Sequence, residues 1–147
     1  MFVATGAYIG KIPFAPGTFG ALLGLPIFYL LSMTSLSVAA VITIALIIVA
    51  VWASEHAEQL MGKKDPGSVV IDEVAGMIVT LLGLPFGFVT AIFGFVLFRI
   101  FDIAKPHPVR YLQDDLPGGA GIVMDDIAAG IISNILLRVI CLVLGIV

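Results

Sequence analysis

The sequence predicts an all-α fold: a polytopic membrane bundle of about five hydrophobic helices, with an active site on its cytoplasmic face. Three observations predict it. Hydrophobic residues make up 61% of the 147 positions, charged residues only 12%, and mean hydropathy is +1.20. Soluble domains carry about 25% charged residues, and a chain this short has too little interior to hide so much apolar surface. The apolar residues are gathered into long runs. The acidic residues sit at the mouths of those runs, as VVIDEVAGMIVTLLGL and IVMDDIAAGIISNILL.

A spanning helix needs about 20 mostly apolar residues. The first candidate runs from Thr18 to about Leu31 with Pro26 inside it, short enough to be kinked or re-entrant. The second, Leu36 to Ala53, is the cleanest, and its helix is expected to continue to Met61 outside the bilayer. The third covers Val69 to Leu84, the fourth Phe86 to Ala104 and the fifth Met124 to Val147. Two connectors, Met33-Thr34-Ser35 and Gly83-Leu84-Pro85, are tight and uncharged, whereas 62–68 and 105–121 hold much of the charge. Alternating spans put Lys11, Lys63, Lys64, Lys105 and Arg110 on one side, which the basic-residue rule makes cytoplasmic. Both acidic pairs and Asp102 land there too. The N-terminal residues lack a basic stretch followed by a clean apolar core, so insertion is expected to use internal helices.

One domain, residues 1–147, is expected from the length. A net charge of -3 gives no electrostatic basis for nucleic-acid binding. Cys141 is a lone thiol inside the last apolar run and reads as a packed core residue.

Carboxylates near hydrocarbon are costly and mark function by default. Asp72 and Glu73 are adjacent, so they diverge by about 100° on a helix, with Gly76 between them one turn on. Asp125 and Asp126 repeat the arrangement with Ala129 and Gly130. The competing reading is that each pair caps a helix N-terminus and favours its dipole. Capping needs one carboxylate, however, and there are two at each mouth. Oxygen ligands gathered on one face suit a hard cation, Mg²⁺ first, and no His or Cys cluster has zinc spacing. Gly118 to Gly121 reads as a flexible lead-in.

In RIFDIAKPHPVR, Arg99, Asp102 and Lys105 share a helix face, and Pro106 ends the helix, keeping Arg110 near Lys105. This is either an ion-pair network or a phosphate clamp beside a catalytic Asp. His107 reads as a solvated loop residue, and Glu55, His56 and Glu58 as a solvated face. The stretch Gly6 to Gly20 holds Lys11 and places Thr18 as N-cap of the first span, where free N–H groups would favour an anion. Arg138, inside the last span, has no account from sequence.

The segments TGAYIGKIPFAPGTFGALLGLP, VVIDEVAG, FRIFDIAKPHPVR and GGAGIVMDDIAAG, in that order, resemble the phosphatidylglycerophosphatase A family of bacteria. The chain begins almost at the first motif, without a longer N-terminal extension. The resemblance implies a Mg²⁺-dependent phosphatase of the bacterial cytoplasmic (inner) membrane that hydrolyses the lipid phosphatidylglycerophosphate to phosphatidylglycerol and phosphate. On that reading Glu73, Asp125 and Asp126 hold the metal with Asp72 near. Asp102 and Asp72 are the catalytic candidates, and Arg99, Lys105, Arg110, Lys11 and Thr18 bind phosphate. A small transporter or ion-binding subunit is the competing class, but it would place its acids mid-span between broken helices.

Overall fold

The computed structural model describes all 147 residues. It contains helices and no strands: α1 (Pro16–Ser32), α2 (Leu36–Met61), α3 (Ile71–Leu81), α4 (Phe88–Ala104), α5 (Val109–Asp115) and α6 (Gly118–Val143), preceded by a short 3₁₀ turn at Ile9–Lys11.

The helix boundaries follow local chemistry. α1 starts at Pro16, whose fixed φ and missing N–H suit the first helical position. Thr18 therefore sits within the first turn, and Ala15 occupies the cap position expected of Thr18. The Ser35 side chain accepts a hydrogen bond from Val38 N–H to open α2, and Gly62, at φ 60°, closes it. The Thr90 hydroxyl accepts from Gly87 N–H at 2.9 Å and donates to the Pro85 carbonyl at 2.8 Å, fixing the entry to α4. Lys105, at φ 42°, ends α4, and Pro106 follows.

α3 is the hub. Nine of its eleven residues are buried, because α1, α2, α4 and α6 all pack on it. Small residues let the backbones approach. A methyl added at Gly76 would meet Phe98 and the Asp126 carbonyl, and one added at Gly130 would meet the Gly76 carbonyl. The pairs Gly20–Val70 and Gly24–Met77 run α1 parallel to α3, and Gly76–Asp126 followed by Val79–Asn134 does the same for α6. The pairs Phe98–Gly76 and Gly94–Leu81 make α4 antiparallel. All ten Asp and Glu residues thereby fall toward the end where α3 begins.

The structure differs from the expected five spans in specific ways. Two helices, α2 and α6, are long and apolar enough to cross a membrane. α3 has eleven residues, about 16 Å at 1.5 Å per residue, because Leu82 turns out of the helix ahead of Gly83 and Pro85. α1 and α4 have 17 residues each. α6 begins at Gly118 rather than Met124, so the Gly118–Gly121 run is its first turn and not a flexible lead-in. Gly119 is helical there because its missing side chain admits the Val51 carbonyl and the backbone of Glu55. α5 lies within a segment read as connector. The outer faces are apolar: Leu30, Val41, Ile44, Ile48, Ile103 and Leu142, among others, are exposed.

Candidate active site

The start of α3 places Asp72 and Glu73 in its first turn. Close packing of α6 on α3 brings Asp126 beside them, and carboxylate oxygens of the three lie within 4.8 Å of one another. Asp72 and Asp126 are 6% and 3% exposed, which decides how they must be read: water does not solvate them. Asp72 Oδ1, Glu73 Oε2 and Asp126 Oδ2 are all buried without a hydrogen-bond partner. Buried polar atoms are normally paired, and carboxylates this close repel one another. Three carboxylates converging from two helices, each with an orphaned oxygen, fit a divalent hard cation, since the donor set is carboxylate oxygen alone.

Cations border the cluster. Arg99, on α4, pairs with Asp102 one turn on, and its Nε is buried and unpartnered. Gly17 of α1 packs against the Glu73 carboxylate and the Arg99 guanidinium, so the N-terminal turn of α1 forms part of the wall. Lys105 Nζ lies 2.7 Å from Asp125 Oδ2. Burial alone would lower the Lys105 ammonium's pKa. The hydrogen bond and charge of Asp125, with Asp126 and Asp65 behind it, outweigh that and raise it above the ordinary lysine value.

The structure thus sorts the residues singled out in the sequence. Asp72, Glu73 and Asp126 come together, and Arg99, Asp102, Lys105 and Asp125 surround them. Asp125, expected as a metal ligand, accepts from Lys105 and from Asp126 N–H. Thr18 lies next to Gly17 on the first turn of α1. Lys11 is exposed, with its ammonium over the Tyr8 ring at 4.6 Å. Arg110 is exposed and faces Asp114 at 3.9 Å.

Three supporting contacts escaped the sequence reading. Glu55 Oε2 accepts from Gly119 N–H at 2.6 Å, so a residue read as solvated caps α6. Asp65 accepts from Gln113 Nε2 at 2.8 Å, tying the 62–68 connector to α5. Asn134 Nδ2 donates toward the carbonyls of Val79, Thr80 and Leu82, satisfying the end of α3.

The family model described as Phosphatidylglycerophosphatase A matches residues 2–141. The chain belongs to the phosphatidylglycerophosphatase A family. The phosphatidylglycerophosphatase A of Escherichia coli strain K12 is 39% identical over 134 residues, which is 89% of this chain and 77% of that protein. The Haemophilus influenzae phosphatidylglycerophosphatase A is 35% identical over 131 residues, 88% of this chain and 80% of the relative. A Bacteroides thetaiotaomicron protein, named provisionally as a phosphatidylinositol-3-phosphatase, is 39% identical over 155 residues, covering 99% of this chain and 95% of its own length. No solved structure matches. The family match spans every helix that contributes to the acidic cluster, so this phosphatidylglycerophosphatase A family member carries the cluster inside its matched region.

Proposed function

We propose that the chain is a Mg²⁺-dependent lipid phosphatase that hydrolyses phosphatidylglycerophosphate to phosphatidylglycerol and phosphate at the acidic cluster. On this reading the protein is multi-pass in the bacterial cytoplasmic membrane, with α1, α2, α3, α4 and α6 forming the apolar bundle and the cluster on the cytoplasmic side. The carrying observation is the convergence of the Asp72, Glu73 and Asp126 carboxylates from α3 and α6, each with a buried oxygen that lacks a hydrogen-bond partner, beside Arg99 and Lys105. The names of the Escherichia coli and Haemophilus influenzae relatives support the substrate.

Asp72, Glu73 and Asp126 would hold the cation. When bound, Mg²⁺ supplies charge neutralisation at the phosphoryl oxygens. Arg99, with one edge on Asp102 and its Nε free, would bind the phosphoryl group, and Lys105 would do so from its anchor on Asp125. Asp102 is the candidate nucleophile or base. With water as nucleophile, its oxygen bonds to phosphorus, the ester P–O bond breaks, and Asp102 takes the water proton and passes it to the leaving alkoxide, giving the lipid alcohol and phosphate. Lys11 and the α1 N-terminal turn at Thr18 border the headgroup side, and Arg110 would attract the anionic headgroup at longer range.

A second reading changes the headgroup and keeps the chemistry: a phosphoinositide monoester is the substrate. The near end-to-end similarity to the Bacteroides protein favours it. Phosphate release from phosphatidylglycerophosphate, phosphatidylinositol 3-phosphate and phosphatidic acid, each titrated with Mg²⁺ in detergent micelles, separates the readings. Release from none of the three would overturn both.

A further inference from the structure

The end of the bundle opposite the acidic cluster is almost free of charge. No Asp, Glu, Lys, Arg or His occurs within residues 12–51 or 74–98, and within 127–147 the only one is Arg138. That end is formed by the turn before α2, the turn after α3 and the later half of α6. Arg138 stands at its rim: Nη2 donates to the Leu82 carbonyl at 3.0 Å and Nε to Asn134 Oδ1 at 2.8 Å. Gly83 makes room, because a methyl there would collide with the guanidinium.

These contacts use two of the five N–H donors of an arginine, and no carboxylate is in reach. The end of α3 does not need the arginine, since Asn134 already reaches the Val79, Thr80 and Leu82 carbonyls. Arg138 is exposed at this apolar rim without a counter-ion, and a guanidinium with open donors suits an anion from outside the chain. The guanidinium lines a cleft of about 280 Å³ together with Leu36, Val79, Ile131 and Ile135. That cleft shares Leu36, Leu82 and Gly83 with a neighbouring one of about 480 Å³, bounded further by Phe28, Tyr29 and Phe86. One basic group thus heads a continuous, largely apolar groove.

We propose that Arg138 and this groove form a binding site for an anionic phospholipid of the leaflet opposite the acidic cluster, with the phosphodiester on the guanidinium and an acyl chain along the groove. Charge complementarity selects the occupant: a zwitterionic headgroup brings its own cation and gains less from Arg138, and an acidic protein segment would have to desolvate its backbone at an apolar rim. The site is separate from the reaction and rests only on the bilayer placement proposed above.

The test uses the full chain in phosphatidylcholine vesicles doped with photoreactive phosphatidylglycerol, after flotation has shown that the chain stays with the vesicles. Adducts are mapped by peptide mass spectrometry. Phosphatidylglycerol should label the 131–138 stretch and the 82–86 turn, and Arg138→Gln should cut that label about tenfold, equal to ~1.4 kcal/mol. Labelling near Asp72 and basal phosphate release should not change. Arg138→Lys, which keeps the charge and loses the fork, should retain most of the label, whereas a purely structural arginine would lose it in both variants. Equal labelling of wild type and Arg138→Gln, or equal labelling by photoreactive phosphatidylcholine, would overturn the site. Failure to float sinks the bilayer placement, and absence of phosphate release sinks the reaction alone.

Discussion

Lys105 holds Asp125 across two helices: the ammonium at the end of α4 lies 2.7 Å from a carboxylate oxygen on α6 that is 2% exposed. Removing one partner of such a pair strands the other charge in a place where water cannot compensate. Lys105→Met should therefore destabilise the protein by about 2–4 kcal/mol, and the double variant Lys105→Met/Asp125→Leu should recover most of that loss. Heat-denaturation midpoints in micelles check both. The sign with pH follows from the raised Lys105 pKa. The Lys105 contribution is full below the ordinary lysine pKa of 10.5 and is lost as pH rises through the higher folded value, so the stability gap between wild type and Lys105→Met should narrow as pH rises past 10.5.

Asp126→Asn keeps the side-chain shape and removes one of three crowded negative charges. Mg²⁺-stimulated phosphate release should fall about 10²-fold or more. The metal-free variant should be more stable than metal-free wild type, since the repulsion is relieved, and should lack the rise in denaturation midpoint that the proposed Mg²⁺ site predicts for the wild type. Unchanged Mg²⁺-dependent turnover would refute the metal assignment.

Glu55 tests a longer-range support. Its carboxylate caps α6 through Gly119 N–H, seven residues before Asp126. Glu55→Ala should cost about 1 kcal/mol and Glu55→Gln less, because the amide oxygen still accepts. Hydrogen exchange should speed up in the first turn of α6 and stay unchanged at its far end.

Asn134 satisfies carbonyls that the early end of α3 leaves open. Asn134→Leu should destabilise by about 1–3 kcal/mol through the lost pairing, read as a lower denaturation midpoint. Phosphate release measured well below that midpoint should be near wild type, because the acids sit at the other end of α3.

Much of the architecture was legible because it depends on short-range patterning. α2 reads off the sequence to within a residue or so, through Ser35 at its start and Gly62 at its end. The acidic pairs also announce themselves, since four carboxylates at two apolar runs have few benign explanations. What the sequence could not give is azimuth. Adjacent carboxylates diverge, and only tertiary packing decides which one faces the centre; the Gly76–Gly130 approach turns Asp126 inward and leaves Asp125 to Lys105. The length of α3 was overread for a related reason. Apolar residues continue through Leu84, but Leu82 and Gly83 take turn geometry ahead of Pro85, and hydropathy is blind to that. The Glu55 and Asn134 caps join residues 64 and more than 50 positions apart, beyond any local signal.

The shortness of α3 has a consequence for how a lipid is handled. At about 16 Å, the hub helix covers roughly half of a ~30 Å hydrocarbon layer, and α2 and α6 project beyond its first turn on the acidic side. In the proposed bilayer placement, the floor of the site is sunk below the rim made by those two helices. A phosphate can reach that floor by sinking while its acyl chains remain among their neighbours. The protein would then carry out hydrolysis on a lipid that never leaves its leaflet, and the local membrane would thin around the bundle to meet it.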